Sequence, residues 1–91
     1  MASEQRIVTF RGNVQGVGFR FTACRVAEAH DITGYVRNLP DGSVQVVVEG
    51  DSPRINAFLA DLEERMSGYI CGRSQQIAPA SGRYTSFGVK F

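Results

Sequence analysis

The 91-residue chain has no apolar run of roughly 18 residues or more, so it has no candidate for a membrane-spanning helix. Nor does the stretch Met1-Ala2-Ser3-Glu4-Gln5-Arg6 carry the apolar segment of a secretory signal. A soluble, cytoplasmic chain without a membrane partner is expected. Histidine occurs once, at His30, and cysteine twice, at Cys24 and Cys71, far apart and without CxxC spacing. That is too sparse a set for a zinc site, and neither a metal nor a cofactor is expected. Without a secretory signal the two cysteines are expected as reduced thiols, although a disulfide stays open. Lysine is also nearly absent: Lys90 stands alone against nine arginines. With nine acidic residues the formal net charge is only +1, far from the broad positive field of a nucleic-acid binder, so no nucleic-acid partner is expected. The planar fork of Arg suits oxyanions, yet most of these nine arginines read equally well as a solvated surface.

What is present fits one small core. A hydrophobic content of 43% is ordinary for a globular chain, and 91 residues are read as a single domain over 1–91. Arg6 to Arg11 is β-branched and aromatic and stops at Gly12, which predicts a strand. From about Phe21 to His30, the positions Ala23, Val26, Ala27 and His30 recur at helical spacing. Tyr35 to Asn38, the turn Leu39-Pro40-Asp41-Gly42, and Ser43 to Glu49 with alternating Val44, Val46 and Val48 predict a hairpin. Ser52 and Pro53 are expected to open a second helix as N-cap and first-turn proline. Its buried stripe is Ile55, Phe58, Leu59, Leu62 and Met66, with Gly68 as a left-handed C-terminal cap. Tyr69 to Ile77 predicts a further strand, Ala78 to Thr85 a loop, and Phe87 to Phe91 a short strand with Phe87, Val89 and Phe91 on one face. The order predicts a ferredoxin-like α+β sandwich, βαββαβ, in which two helices cover one face of an antiparallel sheet, plus a short extra C-terminal strand. Such a fold hosts catalysts, metal carriers and RNA binders alike, so it does not name a function.

The chemistry is concentrated in Gly12-Asn13-Val14-Gln15-Gly16-Val17-Gly18-Phe19-Arg20. Its glycines free the backbone to turn successive N–H groups toward one point, which makes an anion nest. The loop runs into a helix whose first N–H groups and positive dipole end favour a phosphate there. Arg20 can close that cradle with a bidentate pair of hydrogen bonds. A nucleotide P-loop is excluded, because Val17-Gly18-Phe19 stands where Gly-Lys-Ser/Thr is needed. A dinucleotide fingerprint starting at Gly16 and Gly18 fails at Phe21, where a third glycine is required. Glycine-rich strand-to-helix loops can also exist only to turn the chain, and the residues alone leave both readings open.

The run Gly12-x-Val14-Gln15-Gly16-Val17-x-Phe19-Arg20 closely resembles the signature of the acylphosphatases. The run Gly34-Tyr35-Val36-Arg37-Asn38-x-x-x-Gly42-x-Val44, continuing to Gly50, resembles their second signature, in the right order and separation. The likeness covers almost the whole chain; Phe10, where the family more often has an aliphatic residue, and the undistinctive segment Gly68 to Ser86 are departures outside the site. The resemblance implies that Arg20 binds the phosphate, that Asn38 positions the attacking water, and that backbone amides of Gln15, Gly16, Val17, Gly18 and Phe19 grip the phosphoryl oxygens. It implies metal-independent hydrolysis of an acyl phosphate, a small-molecule substrate, to carboxylate and inorganic phosphate, the latter a product and inhibitor, by a monomer. Apart from the resemblance, Asn38 before a turn reads first as a turn-former, and His30 as a packed or capping residue. The alternative function is a non-catalytic anion- or RNA-binding module on the same fold. Against RNA, the run Val17 to Phe21 falls in a loop and helix start, where its aromatics could not lie on a strand as a base-stacking pair.

Overall fold

The computed structural model describes residues 3–91; Met1 and Ala2, part of the N-terminal stretch discussed above, lie outside the described residues. Along the chain run β1 (Glu4–Gly12), α1 (Phe19–Ala27), β2 (Thr33–Asn38), β3 (Val44–Gly50), α2 (Ser52–Arg65), β4 (Ile70–Pro79) and β5 (Phe87–Val89). The strands form one sheet in the order β4-β1-β3-β2-β5. β3 enters between β1 and β2, which gives the split βαβ arrangement expected of the ferredoxin-like class.

The alternation of β1 and β3 decides which face is covered. Val8 and Phe10 of β1, Val44, Val46 and Val48 of β3, and Val36 of β2 all point at the helices and are fully buried. Ala23 and Val26 of α1 and Ile55, Phe58 and Leu62 of α2 close the same core. Each such aliphatic or aromatic side chain withdrawn from water contributes about 1.5–3 kcal/mol, so this layer is the main source of stability.

The sheet departs from the antiparallel expectation at one edge. The three pairings among β1 to β4 are antiparallel, but β5 lies parallel to β2, with Gly34 opposite Phe87 and Val36 opposite Val89. The cause is the crossing that precedes β5. After Pro79 the chain passes along one end of the sheet, where Ser81 N–H and Oγ and Gly82 N–H all donate to the Glu49 carboxylate at 2.8–3.0 Å. It therefore reaches β2 at the end where β2 begins, and can only run alongside it in the same direction.

Three local expectations are also corrected. α1 starts at Phe19 and ends at Ala27, because Phe19 packs on Phe10 (ring centroids 5.3 Å apart) while His30 falls in the turn beyond the helix. The N-cap of α2 is Asp51, whose Oδ1 accepts from Arg54 N–H at 3.0 Å, so Ser52 is the first helical residue and Pro53 the second. Ser52 Oγ is taken instead by Arg6 Nη2 at 2.8 Å. Gly68 is not left-handed: α2 runs out through Met66, whose N–H still donates to Leu62, and the chain turns on Tyr69 N–H to Met66 O.

Candidate active site

The cradle loop, residues 13–18, lies at the end of the sheet where β1 finishes and the β2–β3 hairpin turns. Gly16 and Gly18 take φ of +76° and +79°. A Cβ at either would meet nothing, so what reserves these positions for glycine is the left-handed backbone itself, which costs other residues about 1–2 kcal/mol. Gly18 caps α1 without a side-chain acceptor, and the first turn of α1 carries no acidic residue. The positive end of the helix is thus left without a counter-charge of its own. Among the described residues, the backbone N–H groups of Gln15, Gly16, Val17, Gly18 and Phe19 donate to no other backbone group; the first helical bond runs from Thr22 N–H to Gly18 O, at 2.9 Å.

Gly16, Gly18, Phe19, Arg20 and Asn38 line one cleft of about 400 Å³. Arg20 reaches it from the second residue of α1, and Asn38 from the last residue of β2, opposite Val44 in the hairpin register. Arg20 makes no ion pair with a carboxylate among the described residues; its guanidinium instead lies 5.6 Å from the centroid of the Phe91 ring. A cation without an internal partner is available to an external anion.

Two residues of the expected set do not line the cleft. Val17 packs against the core, and Gln15 turns its side chain to the hairpin, where Nε2 donates to the carbonyls of Leu39 at 2.8 Å and Ser43 at 2.9 Å. Sequence reasoning treated Gln15 only as a backbone donor; a side-chain amide with two donors beside a glycine-rich loop was the available signal. The turn it grips is itself fixed: Gly42 N–H donates to Leu39 O at 3.1 Å, and Asp41 Oδ1 accepts from Ser43 Oγ at 2.6 Å and Ser43 N–H at 3.0 Å. The Ser43 hydroxyl, then the Ser43 amide, hold the Asp41 carboxyl below its ordinary pKa.

Among the described residues the lining contains no Asp, Glu or His, so these offer the cleft no side chain of the usual general acid or base type. Cys24 also lines it, but burial, and then the Glu28 charge, push its thiol up from the ordinary value. It therefore stays protonated at neutral pH and is a poor nucleophile. Cys24 and Cys71 are both free thiols. Among the described residues, no three His, Cys, Asp or Glu side chains gather as a metal-ligating group. His30 sits elsewhere, 3.1 Å from Asp61 Oδ2 and edge-on to Phe58. The aromatics of the loop form no base-stacking pair on a strand, since Phe19 is core and Phe21 stands on α1.

Fold and site together define a ferredoxin-like two-layer sandwich whose cleft joins unpartnered loop amides, a helix N-terminus, one arginine and one asparagine. The acylphosphatase family pattern matches residues 6–89. The acylphosphatase of Caldivirga maquilingensis is 43% identical over 95 aligned positions, covering 100% of this chain and 99% of that one. The acylphosphatase of Methylococcus capsulatus is 39% identical over 83 residues, 90% of each chain. The solved structure of an acylphosphatase from Coxiella burnetii superposes with a TM-score of 0.82 at 28% identity, covering 98% of this chain and 94% of that one. The chain belongs to the acylphosphatase family, hydrolases that act on acid anhydrides.

Proposed function

We propose that this chain hydrolyses acyl phosphates at the cleft between the cradle loop and Asn38. Backbone amides of Gln15, Gly16, Val17, Gly18 and Phe19, together with Arg20, bind the phosphoryl oxygens, and Asn38 orients the attacking water. The observation that carries this is the meeting of Arg20, which pairs with no carboxylate among the described residues, with Asn38 in one cleft rimmed by amides that donate to no other backbone group.

The chemistry asks for little more. Water oxygen forms a bond to phosphorus while the bond from phosphorus to the acyl oxygen breaks, and that electron pair leaves on the carboxylate. A carboxylate is a weak base and departs unprotonated, so the lack of an acidic side chain in the cleft is no obstacle. Asn38 has no useful proton affinity; the water proton passes to a phosphate oxygen of the substrate. Charge on the equatorial oxygens is offset by Arg20 and the amides, which makes catalysis a matter of position and electrostatics.

On this proposal residues 1–91 act as a single domain and as a monomer, in the cytoplasm, on a small molecule without nucleic acid or metal. The single hydrophobic core supports the single domain, and the net charge of +1 supports the lack of a nucleic-acid partner. The test is hydrolysis of benzoyl phosphate in 18O-labelled water with excess EDTA. Undiminished turnover with the label in inorganic phosphate is expected; label in benzoate, or activity abolished by EDTA, contradicts it.

A further inference from the structure

The charges of the chain are unevenly compensated along the sheet. Arg6, Arg54, Arg65 and Arg73 each lie against a carboxylate, whereas Arg11, Arg20, Arg25, Arg37, Arg83 and Lys90 do not among the described residues. Arg20 lines the cleft, Arg11 and Arg37 are the next-to-last residues of β1 and β2, and Lys90 follows the last residue of β5. Four of the unpaired cations therefore stand at the cleft end of the sheet. Glu4 at the start of β1, and Glu49 and Asp51 at the finish of β3, stand at the opposite end.

Arg11 shares a hollow with Asp41, which offsets its charge. Arg37 and Lys90 are held by neutral groups instead. Arg37 Nε donates to Gln45 Oε1 at 2.9 Å, and its guanidinium carbon lies 6.0 Å from the centroid of the Tyr35 ring. Lys90 Nζ is 4.7 Å from the same centroid. The parallel register brings it there, since Lys90 N–H donates to Val36 O at 2.9 Å and so extends the ladder of β5 on β2. The Tyr35 ring is in turn packed edge-on by Tyr84, at 5.8 Å. An aromatic face orders both cations without cancelling their charge.

Strand alternation turns Arg37 and Lys90 to the sheet face away from the helices, because Val36 between Tyr35 and Arg37 is buried under them. Neither side chain lines the cleft, yet the next residue after each, Asn38 and Phe91, does. With neighbouring Cα atoms about 3.8 Å apart, both charges stand roughly 10–15 Å from a phosphate held at Arg20. That is too far for contact and within the reach of an unscreened field at low salt, where the Debye length is about 30 Å at 0.01 M.

We infer that Arg37 and Lys90, ordered on Tyr35, are steering residues that draw dianionic acyl phosphates to the cleft without touching them. This rests on the phosphate site proposed above. Their field acts before and during binding, not on the breaking bond, so it raises kcat/KM and leaves kcat alone.

The test is kcat and KM for acetyl phosphate as a function of ionic strength in the wild type, the double variant Arg37→Gln/Lys90→Gln, the charge-keeping double variant Arg37→Lys/Lys90→Arg, and Arg83→Gln. At about 0.01 M ionic strength the first double variant should lose roughly fourfold in kcat/KM, through KM, and the loss should shrink to under about 1.5-fold at 0.5 M. The charge-keeping variant should match the wild type. So should Arg83→Gln, which removes an unpaired cation from the crossing beside Glu49, at the far end of the sheet. Steering is overturned by a wild-type kcat/KM in the first double variant at low salt, by a loss that salt does not diminish, or by an equal loss in Arg83→Gln. Arg20→Ala separates the two levels: if it keeps wild-type turnover of acetyl phosphate, the cradle falls and steering toward it falls too. An inactive Arg20→Ala beside an unaffected Arg37→Gln/Lys90→Gln removes the steering alone.

Discussion

The side-chain amide of Gln15 donates to the carbonyl of Leu39 at 2.8 Å, and so fastens the cradle loop to the residue that follows Asn38. A second bond from the same nitrogen to Ser43 O, at 2.9 Å, grips the other end of the hairpin turn. The two halves of the candidate site, amides on one side and Asn38 on the other, are thereby set at a fixed spacing. Gln15→Ala should cost about 1–2 kcal/mol in urea unfolding, the net value of two hydrogen bonds. It should also raise KM for benzoyl phosphate several-fold. Gln15→Glu should be worse in KM and in inhibition by inorganic phosphate, since it turns a carboxylate toward two carbonyls and adds a negative charge to the cradle loop. Equal kinetics for the two variants would leave Gln15 with a packing role only.

Gly18 makes the junction between cradle and helix with φ +79° and no steric neighbour for a Cβ. Gly18→Ala should therefore lose about 1–2 kcal/mol from backbone strain alone. If the loop relaxes to relieve that strain, its amides spread and phosphate inhibition weakens. Isothermal titration with inorganic phosphate, alongside urea unfolding, reads both; wild-type affinity in a destabilised Gly18→Ala would separate the loop conformation from anion binding.

Glu49 gives the acid dependence of stability. Burial pushes its carboxyl up, but the Ser81 amide and hydroxyl, Gln5 and the Gly82 amide together outweigh burial and bring it below the ordinary value. A carboxylate depressed in the folded state stabilises fully above its unfolded pKa of about 4.3 and loses that contribution as pH falls through the folded value. Glu49→Gln should therefore be less stable than wild type at pH 7, by about 1–3 kcal/mol for charged hydrogen bonds lost, with the gap closing below roughly pH 4. Glu49 lies at the far end of the sheet from the cleft and does not line it, so kcat should not follow. A pH-independent gap would assign the effect to packing.

Much of this was legible in the chain. The stripe Ile55, Phe58, Leu59, Leu62 and Met66 and the alternation Val44, Val46, Val48 carry the helical and strand periods directly, and all are buried as expected. Arg20 and Asn38 were named by their motifs and line one cleft. What was illegible depends on contacts distant in sequence. Asp51 and Ser52 are both good caps, and only the demand of Arg6 for Ser52 Oγ distinguishes them. The direction of β5 is set by a crossing anchored on Glu49, 32 residues before Ser81. That Val89 lines the same cleft as Arg20 likewise depends on the parallel register of β5 with β2.

The central claim is that Arg20 holds the phosphate and Asn38 the water. It is tested most directly by kcat for benzoyl phosphate and the inhibition constant for inorganic phosphate, measured in Arg20→Ala and Asn38→Ala. Arg20→Ala should lose turnover by roughly 10²-fold or more, and phosphate inhibition with it. Asn38→Ala should lose kcat while phosphate still inhibits as in the wild type. Wild-type turnover in Arg20→Ala, or equal loss of phosphate inhibition in both variants, would contradict the account.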